Sequence, residues 1–133
     1  MKTYLLLFFL SPLFVCSQSN SLNFGTNNTL DVVTWNLEWF PKNGNITIDS
    51  LKSIIEKIDA DVYALQEIDN IGSFNALKNQ LLGYSGLLKN TSNLNLAFLY
   101  KNSITVDSAY SILDDYDYVF AGRTPFVIDL NYN

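Results

Sequence analysis

The sequence predicts an α/β fold in which strands and helices alternate within one domain. Residues 31–37 form a largely apolar run that is typical of a buried strand. Apolar residues then recur at helical spacing over residues 48–58, and residues 62–65 are again wholly apolar. Because a helix between two strands is the usual connection of a parallel pair, these segments predict a parallel pair within a mixed sheet.

Length and composition narrow the classes of protein that fit. The chain has 133 residues, of which 48% are hydrophobic and 16% charged, so one small domain with a packed core is expected. The net charge of −5 argues against a broad cationic face for nucleic acid. The chain has no histidine, which excludes a catalytic histidine or a histidine-ligated zinc within these residues. The single cysteine excludes an internal disulfide.

Residues 1–17 predict a secretory signal peptide. Lys2 is followed by an apolar run, and Val15 and Ser17 fit the positions before a cleavage site after Ser17. The run is short for a transmembrane helix. Cys16 leaves a second hypothesis open, a lipoprotein acylated at this cysteine, so the protein is expected to be secreted or periplasmic, or lipid-anchored at a membrane. Residues 18–30 are polar and predict a linker, which makes 31–133 the domain.

The ends of the helices are predicted from capping residues and from residues that stop a helix. Thr47 is the predicted N-cap of the first helix, and Asp59 to Asp61 end it. Ser73 is the predicted cap of a second helix, which Gly83 stops. The apolar face of that helix is expected to carry Phe74, Leu77, Leu81 and Leu82.

The last third of the sequence predicts more strands. Segments 94–100 and 104–112 are separated by three polar residues, which predicts a hairpin between them. Residues 114–118 predict an acidic and aromatic loop. A final strand is expected to start at about Pro125, where a proline is tolerated at the first residue.

Polar residues occur where the two parallel strands are expected to end. Asn36 ends the first strand and Glu67 the second, and the carboxyl ends of parallel strands meet at one edge, where ligands bind. Glu38 lies two residues beyond Asn36 and is therefore expected on the same side of the strand. A carboxylate and a carboxamide oxygen suit Mg²⁺ or Mn²⁺. The sequence therefore predicts a cation site at this edge.

Four separate stretches carry a resemblance to a known family. In order, they are TWNLEWFP, DVYALQEIDN, NLAFLYKN and GRTPFVIDL. Together they resemble the amino-terminal half of the endonuclease/exonuclease/phosphatase superfamily, and most of all its deoxyribonuclease I-type members, over residues 31–130. The resemblance implies part of a four-layer α/β/β/α sandwich with mixed sheets.

The resemblance also implies roles for individual residues. Glu67 matches the principal metal-binding glutamate, and Asn36 matches an asparagine that positions phosphate and metal. Glu38 falls where some members have an aspartate in the metal shell. Arg123 matches the arginine of an Arg-x-Pro element that contacts the substrate backbone. Tyr100 is expected beside the site, in the predicted hairpin.

The implied function is Mg²⁺-dependent hydrolysis of a phosphodiester, with DNA as the expected substrate and no stable protein partner. The resemblance places a catalytic histidine, an Asp-x-Asn pair and a final Asp-His pair in a carboxyl-terminal half. We therefore expect residues 31–133 to be the amino-terminal half of a truncated domain, inactive by itself. The alternatives are a phosphomonoesterase, a phospholipid phosphodiesterase, or a secreted binding module without catalysis.

A simpler interpretation remains open for each of these residues. Asn36 could be a turn former, and Glu67 and Glu38 could be solvated loop residues. Arg123 could pair at the surface with an aspartate of the acidic loop, where such a pair contributes little. The aromatic residues around the first strand end are expected to be core or groove wall. They are Trp35, Trp39 and Phe40.

Overall fold

A computed structural model describes residues 25–26 and 28–132. The elements, in chain order, are β1 (Val32–Phe40), α1 (Asn45–Ile58), β2 (Val62–Ile68), α2 (Ile71–Gln80), β3 (Tyr84–Lys89), β4 (Asn95–Lys101), β5 (Thr105–Ser111), a short 3-10 helix (Asp114–Phe120) and β6 (Phe126–Asn131). The predicted signal peptide, Cys16 and most of the predicted linker lie outside the described residues. No helix among the described residues combines the length and apolar character needed to cross a membrane.

Four strands form the first sheet, in the order β1-β2-β4-β3. β1 and β2 are parallel, with Val32 opposite Val62 and Asn36 opposite Gln66. β4 is antiparallel to both β2 and β3. The prediction of a parallel pair joined by a helix within a mixed sheet is therefore confirmed.

Both helices cover one face of this sheet. The buried core joins Ile48, Leu51 and Ile55 of α1 to Phe74 and Leu77 of α2. On the sheet side, alternate residues of the two central strands complete this core, since successive side chains of a strand point to opposite faces. They are Tyr63, Leu65, Ala97 and Leu99.

The second sheet is the antiparallel pair β5-β6, and it lies on the other face of the first sheet. Phe98 alternates with the helix-facing residues of β4, and its ring centroid is 5.4 Å from that of Phe126 in β6. Helices, a mixed sheet and a second sheet are thus stacked in order. This layering confirms the predicted α/β class with two sheets.

The predicted hairpin between residues 94–100 and 104–112 is wrong. β4 pairs with β2 along one edge and with β3 along the other, so neither edge is left for β5. The turn between them is tied to the preceding loop, where Asn102 N donates to Gly83 O at 2.9 Å. β5 therefore leaves the first sheet and pairs with β6.

The second helix also differs from its prediction at both ends. The N-cap is Asn70, whose side chain accepts a hydrogen bond from Ser73 N at 2.9 Å, so Ser73 lies inside the helix. α2 ends at Gln80, and Leu82, expected in the core, is 90% exposed. β3 follows at once. The sequence does not predict this strand, because a serine, a glycine and a lysine interrupt its apolar pattern.

The first helix begins earlier than predicted and ends where predicted. Gly44 is its N-cap, and Thr47 is an internal residue whose hydroxyl accepts from Asn43 N at 3.0 Å. The Thr47 cap is therefore wrong. Asp59 adopts the left-handed conformation at the C-cap and its N–H donates to Ile55 O at 2.8 Å, which confirms the end at Asp59. The predicted loop at 114–118 is a 3-10 helix.

Two tyrosines stabilise the end of the first sheet at which β2 begins. Tyr63 OH donates to Ile55 O at 3.0 Å, and Tyr84 OH donates to Ala60 O at 2.8 Å. Burial raises the pKa of both phenols above the ordinary value, because the charged phenolate is poorly solvated there.

Lys101 lies at the same end, between two aspartates. Its Nζ is 3.3 Å from Asp59 Oδ1 and 3.2 Å from Asp61 Oδ1. Partial burial lowers the pKa of Lys101, but the hydrogen bond to Asp61 and the charge of Asp59 outweigh this, so the net shift is upwards. The tyrosines, Lys101 and the two aspartates at this end are therefore paired with groups of the same region.

Candidate functional site

The candidate site lies at the opposite edge, where β1 and β2 end. Asn36 is the last residue of β1 in regular register and lies opposite Gln66. Neighbouring strands in a sheet lie about 4.8 Å apart. Because Glu67 follows Gln66, it lies one position beyond the residue opposite Asn36. The crossover through α1 brings these two residues to one edge.

A change of backbone direction aims the Glu67 side chain away from the helices. Leu65 and Ile68 are both buried in the helix-covered core, so the two-residue alternation of β2 is interrupted between them. Glu67 has φ of 61°, and the register with β4 shifts at the same place. Bulges of this kind re-aim side chains. Here Glu67 turns towards Arg123, in the segment that leads into the second sheet.

Glu67 and Arg123 form the charged centre of the site. Glu67 Oε1 lies 3.8 Å from Arg123 Nη1, and the two side chains are 22% and 30% exposed respectively. That separation is too long for a hydrogen bond, so the attraction is coulombic and weakened by solvent, worth about 1 kcal/mol or less. Both groups therefore keep most of their capacity to bind a ligand.

Arg123 is presented by a tight loop after the 3-10 helix. Ala121 and Gly122 both have positive φ, of 51° and 77°, and Arg123 N donates to Phe120 O at 3.0 Å. The simpler interpretation, in which Arg123 pairs with an aspartate of the acidic segment, is wrong for this structure. Asp114 instead lies 3.7 Å from Lys89 Nζ.

Asn36 uses its side-chain oxygen within its own turn. Asn36 Oδ1 accepts a hydrogen bond from Glu38 N at 2.9 Å. The oxygen retains a second lone pair, while the amide N–H₂ group provides two donors. At an exposed strand end this arrangement favours donation to an anion such as phosphate, with metal binding through the remaining lone pair as a secondary capacity.

The Glu38 side chain does not join Glu67 at the site. Its backbone φ is 46°, so the strand alternation that would place Glu38 beside Asn36 does not continue. The Glu38 side chain is 71% exposed and pairs with Lys42 at 2.6 Å. The aromatic neighbours divide in the same region, since Phe40 is buried, Trp35 packs against the core and Trp39 is 55% exposed.

Tyr100 lies at the wrong end of the sheet for the site. In the β2–β4 ladder Tyr100 is opposite Val62, where β2 begins, whereas Glu67 is near the end of β2. The expectation of Tyr100 beside the site is therefore wrong. The reason is direction, because β4 runs antiparallel to β2 and only its first residues approach Glu67.

One of those first residues, Asn95, has a structural role at the site that the sequence does not predict. Asn95 is 4% exposed, its Nδ2 donates to Ile68 O at 2.9 Å, and its Oδ1 accepts from Thr91 N at 2.9 Å. It thus anchors the residue that follows Glu67. The only signal in the sequence is a polar residue at the start of an otherwise apolar strand.

The residues at this edge fit part of a divalent-cation shell. Mg²⁺ is usually held by one or two carboxylates together with water and substrate phosphate, and Glu67 supplies one partly exposed carboxylate with no hydrogen-bonding partner among the described residues. Within the described part of the chain, no three acidic or cysteine side chains cluster to hold an ion. Glu67 is therefore the donor on which a cation would chiefly depend, with the second lone pair of Asn36 as a secondary donor.

Comparison with known proteins agrees with the resemblance. The model of the Endonuclease/Exonuclease/phosphatase family matches residues 33–132, which is most of the chain. No curated protein matches the chain. The match confirms the superfamily, whose enzymes generally depend on a divalent metal and act as phosphodiester hydrolases or nucleases, while the deoxyribonuclease I-type likeness stays a prediction. The chain belongs to the endonuclease/exonuclease/phosphatase family.

Proposed function

We propose that this chain carries the metal- and phosphate-binding residues of a Mg²⁺-dependent phosphodiester hydrolase that acts on DNA. The observation that carries the proposal is the Glu67–Arg123 pair, with Oε1 and Nη1 3.8 Å apart at the carboxyl edge of the parallel strands. A carboxylate for a cation and a guanidinium for a phosphate thus stand side by side.

Each residue has a role that follows from its chemistry. Glu67 would hold the cation, and Arg123 would donate charge-assisted hydrogen bonds to non-bridging phosphate oxygens. The amide of Asn36 would donate to the same phosphate from the neighbouring strand. A bound cation would neutralise phosphate charge and promote attack by water.

DNA is the favoured substrate because the four quoted stretches most resemble deoxyribonuclease I-type members. The net charge of −5 means that attraction for a polyanion has to come from local groups rather than from the whole surface. Arg123 is the sole arginine of the sequence, so it is the one guanidinium that could bind a phosphate of the polyanion.

The test measures binding of Mn²⁺, which substitutes for Mg²⁺ and broadens nearby NMR signals. We expect Mn²⁺ to broaden the backbone amides of Asn36, Glu67 and Arg123 first. Glu67→Gln preserves size and removes the charge, so this broadening should disappear while the far-UV circular dichroism spectrum stays unchanged. Asn36→Ala should weaken cation binding only slightly. Glu38→Gln should leave it near the wild-type level, because Glu38 already pairs with Lys42.

Glu56→Gln is the matched control, because Glu56 is an exposed glutamate on α1 that pairs with Lys52. Unchanged Mn²⁺ broadening in Glu67→Gln would overturn the metal assignment and favour the secreted binding module. Titration with oligodeoxynucleotide, oligoribonucleotide, a phosphomonoester and phosphoinositide vesicles then separates DNA from the other substrates of this fold.

We also propose that the protein is exported. The support is the sequence alone, in Lys2, the apolar run and the Val15-Cys16-Ser17 segment. Mass spectrometry of the exported protein is expected to find a chain that begins at Gln18. An acyl group on Cys16 would show lipid anchoring instead, and an intact Met1 would refute export by this route.

A further inference from the structure

The residue after Arg123 is held by an unusual contact between the two sheets. Thr124 is 3% exposed, and Lys89, the last residue of β3, donates from Nζ to Thr124 O at 2.9 Å and to the Thr124 hydroxyl. The Thr124 hydroxyl in turn donates to Asp114 Oδ1 at 2.6 Å. Lys89 thus joins the edge strand of the first sheet to the segment that enters the second.

Burying the charged ammonium of Lys89 costs free energy, and nearby polar groups offset this cost. Its side chain is only 15% exposed, and Asp114 Oδ1 lies 3.7 Å from Nζ. A buried ammonium is tolerated only when it is paired and hydrogen-bonded, and this one has a carbonyl, a hydroxyl and a carboxylate as partners. Removing the ammonium would leave the buried Thr124 oxygens without their donor.

The geometry restrains the Arg123 backbone from both sides. On the amino-terminal side, Gly122 N donates to Asp117 O at 3.1 Å and Arg123 N donates to Phe120 O. On the carboxyl-terminal side, the Thr124 carbonyl is held by Lys89. The Arg123 side chain stays 30% exposed, with its guanidinium beside Glu67, so the fixed backbone directs a side chain that remains available to a ligand.

We propose that Lys89 is a positioning residue that acts through Thr124 to orient Arg123 towards a phosphate bound at Glu67. The phosphate-binding role of Arg123 rests on the proposed function; the restraint on Arg123 does not. Pre-orienting a long side chain lowers the entropy lost on binding, so Lys89 is expected to contribute to affinity for phosphodiester without touching it.

The experiment uses NMR relaxation of the arginine side chain. Arg123 is the sole arginine of the native sequence, so its Nε–Hε signal is assigned without ambiguity. In Lys89→Arg, the signal of the added arginine is identified as the one that persists when Arg123→Met is combined with it. The variants are Lys89→Met, which keeps length and removes charge, Lys89→Arg, which restores a charged donor, and Thr124→Val, which removes only the hydroxyl. Lys57→Met, at an exposed lysine on α1, is the charge-matched control.

In the ligand-free protein, we expect the Arg123 Nε–Hε heteronuclear NOE to fall in Lys89→Met and to fall less in Thr124→Val. In Lys89→Arg, the NOE should be close to the wild-type value. Affinity for hexathymidylate should fall about fivefold in Lys89→Met, and more in Arg123→Met, while Mn²⁺ binding at Glu67 is unchanged. Lys57→Met should behave as wild type in all three measurements.

Two results separate the possible failures. An Arg123 NOE in Lys89→Met and Thr124→Val equal to that of the wild type would overturn the positioning role. Hexathymidylate binding that is equal in the wild type and Arg123→Met would instead refute the proposed function, while the NOE still decides whether Lys89 orients Arg123. If Lys89→Met fails to fold, Thr124→Val and Lys89→Arg provide the same comparison.

Discussion

At the residue scale, the site depends on backbone conformations that few side chains adopt readily. Glu67, Ala121 and Gly122 all have positive φ, and they place Glu67 and Arg123 next to each other. Strained positions of this kind persist where the surrounding structure determines them, and they cluster at functional sites. In this chain, Glu67 lies at the carboxyl edge of β1 and β2, and Ala121 and Gly122 lie in the loop that leads to Arg123.

Gly122 is the residue at which this strain is best tested. It has φ of 77°, and a Cβ added there would overlap Ser92 Oγ. We expect Gly122→Ala to destabilise the protein by about 1–2 kcal/mol from the left-handed backbone alone, with a further cost from the overlap. Chemical denaturation measures this change. Gly83→Ala is the control, because no atom lies within 4 Å of its added Cβ, and equal effects of the two substitutions would contradict the argument.

Asn95 gives a second prediction at the residue scale. Asn95→Ala removes both hydrogen bonds of a buried amide and leaves Ile68 O and Thr91 N without these partners. We expect a loss of about 1–3 kcal/mol in the free energy of unfolding. The control is Asn93→Ala, since Asn93 is exposed in the loop just before β4. A loss no greater in Asn95→Ala than in Asn93→Ala would show that the anchor is not needed.

At the element scale, the start of α2 shows how one side chain determines a helix boundary. The Asn70 side chain accepts from Ser73 N, whereas Ser73 contributes only its backbone to that bond. Asn70→Ala should therefore cost about 1 kcal/mol of stability, which is typical for a lost N-cap. Ser73→Ala should change stability little, because the backbone N–H remains. The reverse order in thermal unfolding would restore Ser73 as the cap.

The remaining elements were predictable to different degrees, for physical reasons. α1 shows a strong apolar periodicity, and its residues face the sheet as that periodicity requires. β3 has a pattern too irregular to recognise, since it lies at an edge and is half-buried on both faces. β4 and β5 look like a hairpin locally, but the pairing of β4 with β3 takes the edge that a hairpin would use.

At the scale of the whole molecule, the end of the sheet opposite the site sets the response to alkali. The pKa values of Tyr63 and Tyr84 are raised by burial, and that of Lys101 is raised by Asp61 and Asp59 against the effect of burial. A group whose pKa is higher in the folded state binds its proton more tightly there. Its stabilisation is complete below the unfolded pKa, about 10 for tyrosine, and is lost as pH rises above it.

We therefore expect the free energy of unfolding, measured by chemical denaturation at a series of pH values, to fall as the pH rises above about 10. Tyr84→Phe removes one of the three groups, so stability should fall less steeply with pH. Tyr118→Phe, at an 81% exposed tyrosine, is the control and should leave the slope as in the wild type. A stability that rises or stays constant above about pH 10 would contradict the linkage.

The sequence by itself determined the α/β class, the parallel β1-α1-β2 unit and the meeting of Asn36 with Glu67 at one edge. Each follows from local periodicity and from the direction of parallel strands, which need no knowledge of distant segments. The four ordered stretches also identified the family, which the match over residues 33–132 confirms.

Only the tertiary structure decided which charged groups meet. The Glu67–Arg123 pair, the anchor at Asn95 and the Lys89–Thr124 contact each join segments far apart in the chain, and Tyr100 was misplaced because strand direction within the sheet was unknown. Glu67 faces Arg123 because its left-handed backbone interrupts the alternation of β2. Sequence periodicity describes regular elements, whereas this site is formed where they become irregular and where the second sheet packs on the first.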